Sequence, residues 1–187
     1  MPRITKVYTR TGDDGSTGLG SGQRTPKDAL RVATYGTIDE LNAHIGTTLA
    51  AQPAADLIPS LRQIQNELFH LGADLCIPPA DKQKHPGPQI EARHIAGLES
   101  CIDKLSPKLP AQQNFILPGG SPAAAQLYLA STVCRRAERL LVTLAREAEI
   151  GPHILPYVNR LSDALFVMAR YQNNASGIEE TLWDSRA

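Results

Sequence analysis

Arg135, Glu138 and Arg139 stand at i, i+3 and i+4 within the run Cys134-Arg135-Arg136-Ala137-Glu138-Arg139. On a helix those three positions share a face. Two guanidiniums held by a carboxylate can grip a polyphosphate through bidentate, charge-assisted bonds. The same pattern also describes a solvated face with a helical ion pair worth about 0.2–0.5 kcal/mol. Spacing alone leaves both readings open.

A second constellation is Tyr8-Thr9-Arg10-Thr11-Gly12-Asp13-Asp14-Gly15-Ser16-Thr17-Gly18. Glycines let successive backbone N–H groups point into one concavity, and hydroxyls and Arg10 add donors and charge, which suits a polyphosphate. It is not a Walker A loop, because no Gly-Lys-Ser/Thr follows. It is not a dinucleotide fingerprint either, because after Gly18 and Gly20 the next glycine is Gly22, where that pattern needs one at 23. A flexible arm fits the composition as well as a phosphate cradle does. Two smaller motifs follow. Asn159 and Asp163 lie one turn apart, either as a polar patch between helices or as an amide that reads a base or ribose. Phe115 precedes Pro118-Gly119-Gly120, either as a core plug or as a rigid wedge beside a planar ligand.

Other chemistries lack anchors. His44, His70, His85, His94 and His153 form no HxxxH pair and no cluster with carboxylates, so no metal ligand set is read. There is no Gly-x-Ser-x-Gly elbow for a hydrolase triad. Cys76, Cys101 and Cys134 are far apart and form no CxxC pair, so they read as buried or free thiols in a reducing compartment.

Five helical patterns must position these residues. The first follows Pro26-Lys27-Asp28, with Asp28 as its expected N-cap, and carries Val32, Tyr35, Ile38, Leu41, Ile45 and Leu49 until Pro53. The second carries Leu57, Leu61, Ile64, Leu68, Leu71 and Leu75, a bundle seam. Each of those leucines, if buried, should cost about 2–5 kcal/mol on truncation to Ala. The third is marked by Ile90, His94, Leu98, Ile102 and Leu105. The fourth starts at a Ser121 cap with Pro122 at the first helical position and stops at Gly151-Pro152. The fifth holds Val158, Leu161, Leu165 and Met168 and fades by Asn173-Asn174. No strand pattern and no internal repeat is read. The fold class is therefore all-α: a five-helix bundle forming one domain over 1–187, with a glycine-rich arm (1–26), the bundle (27–173) and a tail (174–187).

The chain of 187 residues carries 19 Lys plus Arg against 19 Asp plus Glu. Zero net charge excludes a global electrostatic grip on nucleic acid or anionic membrane and leaves room for a local basic site. No apolar run reaches the roughly 18 residues of a membrane span, and the N-terminus has no signal-peptide core. A cytoplasmic location is expected.

Taken together the motifs resemble the ATP:cob(I)alamin adenosyltransferases of the propanediol-utilisation type. Residues 6–18 resemble that family's nucleotide motif, 32–42 (Val-Ala-Thr-Tyr-Gly-Thr-Ile-Asp-Glu-Leu-Asn) its first-helix signature, and 115–120 (Phe-Ile-Leu-Pro-Gly-Gly) its loop. Residues 134–139 and 158–163 resemble its late-helix motifs. The resemblance spans residues 4–172 with all five motifs in order. It implies a homotrimer whose sites lie between subunits, with ATP held by one subunit's arm and the adjacent subunit's late helices. Thr9, Arg10, Thr11, Gly12, Thr17, Gly18, Lys27, Arg135, Glu138, Arg139 and Asn159 would contact ATP, with Arg136 and Ala137 inside the same motif. Phe115 would sit beneath the corrin of cobalamin and Asp39 near its face at the subunit boundary. The catalytic set implied is Arg135, Arg139, Asp39 and Phe115, with Mg²⁺ accompanying ATP. A cobalamin reductase and an adenosylcobalamin-dependent enzyme are the protein partners it suggests. Two departures stand out. Ser131 occupies a position where the family often has an Arg that pairs with the first-helix Asp, leaving Asp39 to another partner or to weaker corrin binding. Arg10 stands where many relatives have Lys. A non-catalytic nucleotide- or corrinoid-binding bundle is the competing reading.

Overall fold

A computed structural model describes residues 8–187. Five α-helices dominate it: α1 (Leu30–Ala50), α2 (Ile58–Cys76), α3 (Ala92–Leu105), α4 (Pro122–Glu147) and α5 (Ile154–Ala175). The all-α expectation needs one correction. A two-stranded antiparallel hairpin, β1 (Ser16–Gly18) and β2 (Arg24–Pro26), precedes α1, pairing Ser16 with Pro26 and Gly18 with Arg24. Three residues per strand are too few for alternation to show, so the turn holds the hairpin rather than a hydrophobic face. That turn is closed by Leu19 N–H on the Gln23 carbonyl at 2.8 Å and Gly22 N–H on the Leu19 carbonyl at 2.9 Å, with Gly22 at φ 86°.

α4 packs on both α5 and α1, α3 packs on α5 and α2 on α1, and α2 also meets α5. The predicted seams are the core: Ile38, Leu41 and Ile45 of α1, Leu61, Leu68, Leu71 and Leu75 of α2, and Leu161, Leu165 and Met168 of α5 are buried. Tyr157 of α5 donates its hydroxyl to Glu67 of α2 at 2.9 Å, satisfying a buried carboxylate.

Helix ends follow sequence with two corrections. Ser121 Oγ accepts from Ala124 N–H at 3.2 Å and Pro122 opens α4, as the cap pattern predicts. Asp28 is not the cap of α1. Ala29 holds that position without a side-chain bond, because Lys27 and Asp28 are spent in a turn that Ala29 N–H closes on the Pro26 carbonyl at 3.2 Å. Leu57 lies in a 3₁₀ turn, Ala55–Leu57, just ahead of α2. α5 ends at Gly177 (φ 65°), where Ile178 N–H reaches the Asn173 carbonyl at 2.9 Å and Gly177 N–H the Asn174 carbonyl at 3.1 Å, a Schellman closure.

The Pro118-Gly119-Gly120 turn also has a steric reason. Gly120 sits at φ 100°, and a Cβ there would collide with the Asn173 side-chain amide. That buried amide accepts from Ser121 N–H at 3.0 Å and donates to the Gly119 carbonyl at 3.0 Å, fixing where α4 begins. No helix among the described residues is long and apolar enough to cross a membrane.

Candidate active site

The structure sorts the sequence-predicted residues into two groups plus an isolated aromatic. The first group is the arm. Thr9 and Thr11 hydroxyls share a hydrogen bond of 2.8 Å, and Arg10 adopts φ 63°. Gly12 accepts Gly15 N–H at 3.2 Å, and Lys27 returns to the same loop, its N–H on the Gly15 carbonyl at 2.9 Å. Lys27 Nζ lies 3.2 Å from where a Gly12 Cβ would stand, so the amine and the glycine turn form one concavity. Thr17 and Gly18 belong to β1 opposite Thr25 and Arg24.

Sequence reasoning missed the residue that organises this loop. Arg24 NH2 donates to the Thr11 carbonyl, to Ser16 Oγ and, at 3.4 Å, to Asp14. Asp14 accepts from Ser16 Oγ at 2.7 Å and Ser16 N–H at 2.9 Å, and these bonds, with Arg24, hold its carboxyl below the usual range. The arm is tied to the bundle at the end of α2, where Gly20 N–H donates to the Cys76 carbonyl at 3.0 Å. A Cβ on Gly20 would meet Ile77 Cγ1 at 2.6 Å, so that approach requires glycine.

The second group is on α4 and α5. Arg135 and Arg139 are exposed one turn apart, and Arg139 donates to the Arg135 carbonyl at 3.1 Å. Neither guanidinium has an ion-pair partner among the described residues. Glu138 instead accepts from Asn159 Nδ2 at 2.9 Å, joining the two helices beside the arginines. The expected clamp of Glu138 on its own helix neighbours is thus replaced by a clamp on Asn159. Arg136 points elsewhere and pairs with Glu40 of α1. Ala137 is fully buried, so its side chain faces the core. Asp163 is held by Arg160 NH1 at 3.0 Å.

Asp39, on α1, is exposed and makes no ion pair among the described residues. Partial burial raises its carboxyl above the ordinary value. Ser131, where the resemblance sets an Arg pairing with this Asp across the subunit interface, turns into its own bundle. The Ser131 hydroxyl is buried and donates to the Ser162 carbonyl of α5 at 2.9 Å.

Phe115 is not a core plug. Its side chain is 72 % exposed, with its ring edge-on to Trp183 at a centroid distance of 6.0 Å. Trp183 belongs to the tail, which folds back along residues 114–117 through Leu117 N–H on the Thr181 carbonyl and Trp183 N–H on the Phe115 carbonyl, both 2.8 Å. No local sequence signal announces that pairing.

Nucleophile chemistry by a side chain is not built here. Cys76, Cys101 and Cys134 are free. Burial pushes the Cys134 thiol well up, and its Sγ–H faces the Val158 carbonyl at 3.3 Å. Among the described residues no group of three or more His, Cys, Asp or Glu side chains is arranged to hold a metal ion.

The comparisons with known proteins agree with this geometry. The family model for cobalamin adenosyltransferase matches residues 7–172. The corrinoid adenosyltransferase of Bacillus subtilis is 46 % identical over 186 residues, covering 97 % of this chain and 94 % of that protein. That of Mycobacterium tuberculosis is 46 % identical over 173 residues, covering 91 % and 90 %. Among solved structures, a variant PduO-type ATP:corrinoid adenosyltransferase from Lactobacillus reuteri, complexed with cobalamin and ATP, superposes with a TM-score of 0.91 at 38 % identity over 96 % of this chain and 97 % of that one. Another variant of that enzyme, complexed with ATP, gives 0.87 at 37 % identity over 95 % and 100 %. A family model matched over residues 7–172, relatives 46 % identical over most of their length and a fold shared at a TM-score of 0.91 show that the chain belongs to the cobalamin adenosyltransferase family, in its PduO-type ATP:corrinoid group.

Proposed function

We propose that this chain, a corrinoid adenosyltransferase moving the adenosyl group of ATP to cobalamin, does so in a site closed between two subunits of a homotrimer. The observation that carries the reading is the pair Arg135 and Arg139, exposed and without acid partners beside the Glu138–Asn159 bond. Such a pair is built to be neutralised by an anionic ligand. No hydrogen bond or ion pair joins the arm to α4 among the described residues, which suits a site completed by a neighbouring copy. Thr9, Arg10, Thr11, Gly12, Thr17, Gly18 and Lys27 of one subunit would then face Arg135, Arg139 and Asn159 of the next.

The chemistry assigns the nucleophile to the substrate. Cobalt(I) donates its electron pair to C5′ of ATP, the Co–C bond forms, and the C5′–O bond breaks. Its electrons leave with tripolyphosphate, and the metal becomes formally cobalt(III). The protein needs no base, in keeping with the absence of an activated Ser, Cys or His at the site. Its work is alignment of C5′ with the metal and stabilisation of charge growing on the leaving group. Arg10, Lys27, Arg135 and Arg139 supply that charge. Mg²⁺ would accompany ATP as the counter-ion of the triphosphate. Phe115, already exposed, would press on the lower corrin face and exclude an axial ligand, which makes four-coordinate cobalt(II) easier to reduce. Asp39 would lie near the corrin at the boundary. Electrons would come from a cobalamin reductase, and the product would pass to an adenosylcobalamin-dependent enzyme.

The test is adenosylcobalamin formation from ATP and reduced cobalamin under anaerobic conditions. Product whose appearance scales with ATP is expected. A folded sample that binds ATP without making product would instead mark a nucleotide or corrinoid carrier.

A further inference from the structure

Among the contacts that hold the tail after α5 is a buried ion pair that the reaction itself does not require. Arg170 of α5 is buried, its side chain only 9 % exposed, and Glu180 of the tail only 15 %. Their contact is two-pronged: Arg170 Nε lies 2.9 Å from Glu180 Oε1, and NH2 lies 3.0 Å from Oε2. The same NH2 donates to the Pro110 carbonyl at 2.9 Å. One guanidinium therefore ties together three parts of the chain: α5, the tail and the segment ahead of Phe115.

Packing does not do this job. A cavity of about 470 Å³ lies between tail and segment, lined by Pro110, Ile116, Arg170, Ile178, Glu180 and Leu182. The attachment rests on the ion pair, the two backbone hydrogen bonds that make up the Ile116–Leu182 bridge, and Asn114 Nδ2 on the Trp183 carbonyl at 2.8 Å. Phe115 and Trp183 are both exposed to a large degree, so core contacts do not set their rings. What sets the height of the Phe115 ring is the backbone beneath it, and that backbone is paired with the tail.

We propose that Arg170 is a positioning residue: through Glu180 and Pro110 it clamps residues 178–183 onto residues 110–117 and so fixes the Phe115 ring for its work against the corrin. The proposal rests on the reading of Phe115 as a wedge. A wedge displaced by an ångström loses much of its effect, because geometric errors of that size cost up to about a hundredfold in rate. Removing one partner of a buried pair leaves the other uncompensated, so the clamp opens rather than weakening slightly.

Trp183 is the only tryptophan of the chain and therefore reports the tail directly. Wild type, Glu180→Gln, Trp183→Ala and Phe115→Ala are compared with ATP and cob(II)alamin. Acrylamide quenching reads Trp183, and the four-coordinate cob(II)alamin spectrum reads the wedge. In Glu180→Gln, quenching is expected to rise, the four-coordinate fraction to fall, and kcat to drop roughly tenfold with the KM for ATP unchanged. Trp183→Ala, at a half-exposed position that the bundle does not need, should lower the four-coordinate fraction in the same way. A shielded Trp183 in Glu180→Gln overturns the clamp. A wild-type four-coordinate fraction in Glu180→Gln and Trp183→Ala, while Phe115→Ala loses it, overturns the clamp alone. An unchanged spectrum in Phe115→Ala removes the wedge itself and the clamp's purpose with it.

Discussion

The two halves of the proposed ATP site are built by opposite means. The α4–α5 half is a rigid surface, with Ala137 and Cys134 packed in the core and Arg135, Arg139 and Asn159 projecting from the same turns. The arm half has almost no core. A hairpin of two three-residue strands, the Arg24 contacts and one backbone bond at Gly20 hold it. A rigid half fixes where the charge is. A loop half, made of glycine amides and hydroxyls, can wrap a triphosphate closely. Substitutions should therefore separate cleanly: side-chain losses on α4 act on rate, and backbone crowding in the arm acts on ATP binding.

The largest effect is expected on the rigid side. Arg135→Ala should lower kcat by about 10²–10³-fold. Its thermal midpoint should stay within about 2 °C of wild type, because an exposed, unpaired guanidinium adds little stability. Parallel turnover and melting curves check both halves of that statement, and a large fall in stability would move Arg135 from the site into the fold.

Gly120→Ala should do the reverse. It forces φ 100° on a residue with a Cβ and drives that atom into Asn173. A loss of about 1–3 kcal/mol is expected by denaturant titration, with a fall in rate only insofar as the Phe115 segment shifts. On the loop side, Gly20→Ala crowds Ile77 and should lift the arm from α2. The KM for ATP should rise about three- to tenfold, ~0.7–1.4 kcal/mol, with kcat nearly unchanged. Equal falls in kcat and kcat/KM would instead mean that the arm is organised only in the transition state.

The smallest effect is at Asp39. Burial holds its carboxyl above the ordinary value, so the folded chain keeps that proton more tightly than the unfolded chain does. The ionised form therefore costs stability at pH values above its folded pKa, and the cost disappears below the unfolded value near about 4. Asp39→Asn should raise the melting temperature slightly near neutral pH and not at about pH 3. The same variant should raise the KM for cobalamin. A melting gain that persists in acid would show that the carboxylate charge is not its source.

The contrast also explains what could be read from sequence. Leu61, Leu68, Leu71 and Leu75 recur with helical period and are all buried, so α2 was legible without its partners. Ser121-Pro122 marked the start of α4 because capping is local. Arg135 and Arg139 share a face by spacing alone. The fate of Arg136, a single residue further round the helix, depends on Glu40 of α1, and helical spacing says nothing of that distant element. The hairpin escaped because its strands are too short to alternate. The tail escaped because Ile116 and Leu182 meet across most of the last third of the chain, with no period or turn motif to announce it. Asp28 failed as a cap because the turn that follows β2, closed by Ala29 N–H on the Pro26 carbonyl, puts Ala29 at the start of α1.

The claim on which the account depends is that the arm of one subunit works with α4 of its neighbour. Lys27→Ala damages only the arm, and Arg135→Ala damages only α4. Refolded or co-expressed together in equal amounts, they should form mixed trimers in which about a quarter of the sites pair an intact arm with an intact α4. Adenosylcobalamin formation should then return to about a quarter of the wild-type rate, far above either variant alone. Mixed oligomers that form yet stay as inactive as their parents would contradict the shared site and place both halves within one chain.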